Sequence, residues 1–297
     1  MKNIIFLLVF WAFAADVFAC DVCGCSVGGP YFGILPQYHR NVVGLRWYDS
    51  RIDSEHPFVH QGESGFTSDR FRSLELWGRV NPLPRVQVLA TMPYHFLESR
   101  SGEVSTRSSG PGDATLLATY ALVDDARCGN WRHQWQLGGG VKFPTGRFRS
   151  AYTDEPGLQR GTGSWDWLAT TIYTLRFRQL GLNTDATFRY MGKSPSYYRY
   201  GNRFTSGVRL FYWKEWKNGP TLLPNAGVLY ETAGKDVHLG DVLDYTGGDC
   251  LLATAGMDIY FKGITVGATV KIPVYEHLAE GYSDARERLV VHAAWLF

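Results

Sequence analysis

Arg288-Leu289-Val290-Val291-His292-Ala293-Ala294-Trp295-Leu296-Phe297 closes the chain. The odd positions read Leu, Val, Ala, Trp, Phe, and the even ones Arg, Val, His, Ala, Leu. One face is wholly apolar and ends in two aromatics, and the other carries Arg288 and His292. Period-two alternation of this kind is the signature of a strand with two unlike surroundings. A lipid-facing strand and an ordinary buried edge strand both fit these ten residues, so the rest of the chain has to separate them.

Upstream, eleven further segments of about ten residues carry the same alternation. The clearest sets Trp131, His133, Trp135, Leu137, Val141 and Phe143 against Arg132, Gln134, Gln136 and Lys142. Others oppose Val43, Leu45 and Trp47 to Arg46, Trp165, Trp167 and Ala169 to Asp166, and Val266, Ala268 and Val270 to Thr269 and Lys271. The segment at 221–231 is the weakest, because Pro224 lacks the N–H a ladder needs.

The connections alternate in length. Short ones fall at 81–85, 124–130, 176–179, 214–220 and 262–263, and long ones at 51–69, 98–112, 144–162, 191–200, 232–247 and 275–285. A soluble sandwich has no reason to alternate in this way. A membrane barrel does, with short turns on one side, long loops on the other and an even strand number that brings both termini to the short-turn side. The expected fold is all-β: a closed antiparallel transmembrane β-barrel of about twelve strands. Closure follows from the bilayer itself, which has no water to satisfy an open sheet edge.

Composition agrees. The 297 residues include 10 Trp, 17 Tyr, 17 Phe and 33 Gly, the aromatic-rich, half-polar mixture of membrane strands. Thirty basic residues against twenty-eight acidic ones leave no general field to attract nucleic acid. At the start, Lys2, the apolar run 4–15 and Val17-Phe18-Ala19 read as a signal peptide over 1–19, too short for a comfortable membrane helix. A Cys- and Gly-rich periplasmic segment or plug over 20–35 and a barrel over 36–297 complete the expected organisation.

On this phase the lumen receives Arg46, Arg79, Arg132, Lys142, Arg189, Arg203, Arg209, Lys271 and Arg288, together with Glu75, Asp113, Asp166, Asp185, Glu231 and Asp258. Opposite signs lie on neighbouring strands, and pairing between them narrows a pore. A constricted or plugged barrel is therefore expected, and Arg79, Arg132, Lys142, Asp166, Asp185, Arg189, Arg203, Arg209, Asp258 and Lys271 are its candidate lumen-lining residues. For any single one of them, solvation of a polar interior is the better explanation.

Cys20, Cys23 and Cys25 put three thiols within six residues. They suit a soft ion, Cu(I) or Zn(II), because thiolate is the favoured ligand. They also suit a disulfide in an oxidising compartment, with Cys128 or Cys250 as further partners, or acylation of Cys20. No other cofactor is expected. Gly138-Gly139-Gly140-Val141-Lys142-Phe143-Pro144 is not a phosphate loop, since Phe143 stands where a hydroxyl residue is required. None of the eight histidines has a serine two residues on, so a lipid-hydrolysing Ser-His pair is not indicated and the protein is expected not to be an enzyme.

Three motifs carry a resemblance. Gly110-Pro111-Gly112-Asp113, Phe143-Pro144-Thr145-Gly146 and Gly161-Thr162-Gly163-Ser164-Trp165-Asp166 resemble those of a family of outer-membrane barrels. Its named members accompany aromatic-compound (phenol meta-pathway) degradation. The terminal Phe297 with its alternating strand is similar to the closing strand of outer-membrane barrels, which implies assembly-machinery contact and the outer membrane of a Gram-negative bacterium. The resemblance implies a channel or transporter passing a small, hydrophobic or aromatic solute through the lipid bilayer. A non-conducting barrel presenting the cysteine segment to a metal or partner is the alternative.

Overall fold

The computed structural model describes residues 40–55, 65–149, 158–217 and 219–297. The expected signal peptide and the expected plug at 20–35 lie outside them. Twelve strands form the wall: β1 (Val42–Glu55), β2 (Phe66–Leu83), β3 (Val86–Ser101), β4 (Thr115–Cys128), β5 (Trp131–Lys142) and β6 (Asp166–Phe177), then β7 (Leu180–Tyr190), β8 (Arg203–Tyr212), β9 (Thr221–Ala233), β10 (Gly248–Phe261), β11 (Ile264–Leu278) and β12 (Arg288–Leu296). Each pairs antiparallel with its sequence neighbour. Closure is made by the chain's last strand on its first, from Val42↔Leu296 to Asp49↔Leu289, so the wall has no edge.

The polarity of the wall is reversed relative to a soluble protein. Trp167 is 59% exposed while the neighbouring Asp166 is 0% exposed, and Leu45 is 50% exposed beside a buried Arg46. The same alternation in β12 leaves Leu289, Val291, Trp295 and Phe297 outside and buries Arg288 and His292. Water would not tolerate a continuous apolar girdle of this extent, whereas a hydrocarbon layer requires it.

Short turns carry the backbone conformations they need. At 262–263 both residues have positive φ, 48° for Lys262 and 84° for Gly263, the two-residue hairpin geometry that matches strand twist. Pro224 sits inside β9 where it costs no hydrogen bond. The β8 ladder ends at Phe211↔Asn225, and on that side β9 is next paired at Leu222↔Lys214.

Several expected long loops are structured. The 98–112 stretch is a hairpin, because β3 runs to Ser101 and Val104–Pro111 pairs back along it. Glu98 accepts hydrogen bonds from Arg107 at 2.9 Å and Arg72 at 3.4 Å, which joins the hairpin to β2. Short strands at Tyr198–Arg199, Val237–His238 and Asp241–Val242 join the 191–200 and 232–247 loops in a separate three-stranded sheet. In the 275–285 stretch, β11 continues to Leu278 and Ser283–Ala285 pairs with β1. The 144–162 connection departs most from expectation. Its described ends fold into the barrel mouth, and Leu158, 1% exposed, packs among inward residues Tyr48, Ile52, Phe71, Leu97 and Val290. That apolar patch belongs to β1, β2, β3 and β12, well around the wall from β5 and β6.

Candidate functional site

The interior is stratified. Buried apolar side chains from nine strands form one cluster, most of them near the short-turn ends of their strands, among them Leu89, Phe211, Leu223, Tyr260 and Leu296, while Leu117 and Leu168 extend it up the wall toward the loop side. Gly181 is needed at this level, since a Cβ there would fall 2.0 Å from the Phe211 ring. Above it lies a belt of charge. Arg46 and Glu75, direct cross-strand partners, make a 2.9 Å bridge, and the Arg46 guanidinium sits 4.8 Å from the Trp77 ring. Arg209 pairs with Asp185 at 3.0 Å and His292 approaches Asp258 at 3.3 Å. Arg288 reaches past two intervening strands to Glu231 at 2.6 Å. Each bridge has at least one buried partner, so its main effect is to hold a geometry that would be costly to leave half-made.

At the loop end the three motifs meet. Lys142, last residue of β5, places its Nζ 2.7 Å from Asp113 Oδ2 and 2.7 Å from Asp166 Oδ2. Asp113 also accepts the Gly146 amide at 2.8 Å and the Thr162 amide at 2.9 Å. Thr162 Oγ1 is in contact with Lys142 and lies 2.9 Å from Ser164 Oγ, which donates to Asp166 at 2.8 Å. Thr145 Oγ1 accepts the Ala114 amide and donates to the Gly112 carbonyl. Glycine is required at 146 and 161, because a Cβ at either would come within 2.9 Å of Asp113 Oδ1 and of the facing backbone. One carboxylate thus ties down both ends of the 143–165 segment.

Beneath this clasp is a cavity of about 50 Å³, lined by residues that include Tyr48, Glu75, His95, Asp113, Lys142 and Arg189. That volume holds one or two waters. Glu75 on β2 and Arg189 on β7 share it, so side chains from well-separated arcs of the wall meet at this height. Arrangements of this kind orient, exclude and select.

The remaining predicted residues fall into distinct places. Arg79 is buried near the short-turn mouth and donates to the Arg40 carbonyl at 3.2 Å. Arg132 stands at the rim rather than the waist, with its Nε 2.6 Å from Asp125 of the adjacent short-turn end of β4. Arg203, Arg209, Asp258 and Lys271 are buried inside. Cys20, Cys23 and Cys25 lie outside the described residues, and Cys128 and Cys250 are free thiols, the second buried. Among the described residues no group of three or more His, Cys, Asp or Glu is placed to hold a metal. Thr162, Ser164 and Leu158 were missed by sequence reasoning. The inward phase Thr162-x-Ser164-x-Asp166 was a usable signal for two of them, and Leu158 had none.

Fold and polarity define the class: a twelve-stranded transmembrane β-barrel of the outer-membrane type. Its architecture is similar to the crystal structure of an outer-membrane channel from Pseudomonas putida F1. That match has a TM-score of 0.64 at 16% identity and covers 91% of this chain and 99% of that one. It is also similar to the β-domain of the Bordetella autotransporter BrkA, with a TM-score of 0.50 at 9% identity over 87% of this chain and 100% of that one. The transport unit of the autotransporter AIDA-I from Escherichia coli gives 0.50 at 11% identity, over 92% and 96%. At such identities the likeness is one of fold. No family model and no curated protein matches the chain.

Proposed function

We propose that the protein is a narrow outer-membrane channel for a small solute, held constricted by the described ends of the β5–β6 connection, residues 143–149 and 158–165. The observation that carries this reading is Leu158, seated on the inner face of β1, β2, β3 and β12 while Asp113 ties both ends of its segment to β4 and β5. A segment that enters the lumen and is anchored by a few polar contacts is built to narrow a path and is poised to be moved from it. Passage needs no covalent chemistry: the solute diffuses past charged and apolar layers, and their order sets what gets through. The apolar cluster near the short-turn end favours a small hydrophobic or aromatic solute, in line with the family resemblance.

Export by residues 1–19, assembly through the β12 strand and a lumenal plug at 20–35 belong to the same proposal. So does binding of Cu(I) or Zn(II) by Cys20, Cys23 and Cys25, which metal titration of the mature chain against its triple Cys→Ser variant tests. The channel itself is tested by planar-bilayer conductance of the refolded mature chain, of a chain starting near Tyr31, and of one shortened within 147–160. Current steps that grow on either truncation support the channel. Traces that match empty membrane for all three refute it and favour a barrel that displays its cysteine segment.

A further inference from the structure

On one arc of the wall the outward face turns from apolar to charged at a common height. Toward the loop end, Trp47 is followed by Asp49 and Arg51 on β1, Leu74 by Arg72 and Arg70 on β2, and Phe96 by Glu98 and Arg100 on β3. Register sets these steps side by side, with Trp47↔Leu74, Asp49↔Arg72 and Arg72↔Phe96. On the other flank of β1, the outward Leu289 of β12 is preceded by Glu287 and Arg286. At the loop ends of β6, β7 and β8 the outward residues are Trp167, Tyr190 and Phe204 instead, all exposed. Long loops mark the outer side of a membrane barrel. The change of face on β1 to β3 is therefore the level at which outer-leaflet acyl chains give way to headgroups.

The arginines at this level are held in place by carboxylates. Arg70 donates to both oxygens of Asp49, at 3.0 and 2.6 Å. Arg51 and Arg286 each donate through Nε to a different oxygen of Asp53, both at 2.8 Å. A guanidinium carries five N–H donors, so the Nη groups of Arg51 and Arg286 remain for another acceptor. Arg51, Arg70 and Arg286 are about half exposed. Arg100, register partner of Ser68, makes no ion pair among the described residues. These four arginines line a groove of about 580 Å³ on the outer surface, with Glu98 and Glu287 at its edge and Val270 and Leu289 on the side toward the apolar band. Clefts of roughly 300–1,000 Å³ take a small organic molecule, so the groove suits a headgroup rather than a lone inorganic ion.

Planar, carboxylate-oriented guanidinium groups match phosphate oxygens two at a time, and basic pockets at the membrane boundary take anionic headgroups. We propose that this arc of β12 and β1 to β3 binds one phosphorylated glucosamine lipid of the outer leaflet, of the lipid A class. Its phosphates lie on Arg51, Arg100 and Arg286, with Arg70 supporting the sugar side. Its acyl chains run down the apolar face of Leu289, Trp47 and Leu74, directly below the groove. The carboxylates Asp49 and Asp53 fix the donors in position, which lowers the entropy lost when the headgroup docks. The site is on the outside of the wall and does not depend on whether the barrel conducts.

The test is binding of bisphosphorylated lipid A to the refolded mature chain in detergent micelles, read by native mass spectrometry, with phosphatidylglycerol and inorganic phosphate as competitors. One bound lipid A per chain is expected, displaced by neither competitor at equal concentration. Changing Arg51, Arg100 and Arg286 together to Gln should weaken binding by about tenfold or more, the equivalent of at least one charge-assisted hydrogen bond. The matched triple change of Arg127, Arg178 and Lys217 to Gln, all exposed at the short-turn end, should leave it unchanged. Heat-modifiable gel mobility reports folding of each variant. Because the triple change also strips Asp53 of both its arginines, Arg100→Glu alone is the second variant, and a several-fold loss is expected from it. Undiminished binding by folded Arg100→Glu and by the folded groove triple overturns the site. Displacement by phosphatidylglycerol reduces it to a general anionic-lipid surface, and displacement by phosphate to a small-anion site; either result overturns the lipid A assignment.

Discussion

Replacing Asp113 with alanine should release the 143–165 segment without dismantling the barrel. The substitution removes the acceptor for two backbone amides of the segment, Gly146 and Thr162, at 2.8 and 2.9 Å. It does not strand the ammonium, because Lys142 keeps Asp166 at 2.7 Å. Each amide left buried without a partner costs roughly 1–3 kcal/mol, and the segment escapes that cost by moving out to water. Taking about 3 kcal/mol for the pair, the released population rises about a hundredfold. Asp113→Asn keeps an acceptor oxygen and should have a clearly smaller effect. Hydrogen exchange at the Gly146 and Thr162 amides is the direct assay, with single-channel conductance in parallel. Faster exchange at both amides and longer or larger open events are expected, with exchange in β1 and β12 unchanged. Unaltered amide protection in a folded Asp113→Ala barrel would refute the clasp.

Leu158→Asp places a carboxylate in the apolar patch of Tyr48, Ile52, Phe71 and Leu97, and should raise conductance through loss of the same constriction while leaving heat-modifiable mobility intact. Pro224→Ala should change stability by less than about 0.5 kcal/mol in urea unfolding, because the broken β8 pairing already spares the missing N–H. Asp236, in the connection between β9 and β10, accepts from the Tyr198 hydroxyl and the Gly201 amide, and burial pushes its carboxyl above the ordinary 3.8. The folded state therefore holds this proton more tightly than the unfolded one, and stability falls as pH rises from 3.8 through the raised folded value. Gly201 amide protection should decline over that window in the wild type and stay flat in Asp236→Asn.

Strand number, strand phase and closure were legible in the chain because each is a one-dimensional property. A strand between lipid and a polar lumen repeats every two residues, and its phase is written in which positions are apolar, as in Arg288 to Phe297. The inward placement of Arg46, Lys142, Asp166 and Lys271 follows from that phase alone. What the alternation could not reveal is which of these groups meet, because that depends on how far strands slide past one another when the barrel closes. Asp113, Lys142 and Thr162 span 49 residues of sequence and become one clasp only after β4, β5 and β6 align. Leu158 sits in a stretch with no period, and its contact with β1 and β12 exists only across a closed lumen. The break in the β11–β12 ladder is likewise invisible locally: β11 continues beyond the strand expected from the alternation, and only the count of residues on the facing chain, four against six, interrupts the pairing over 272–277.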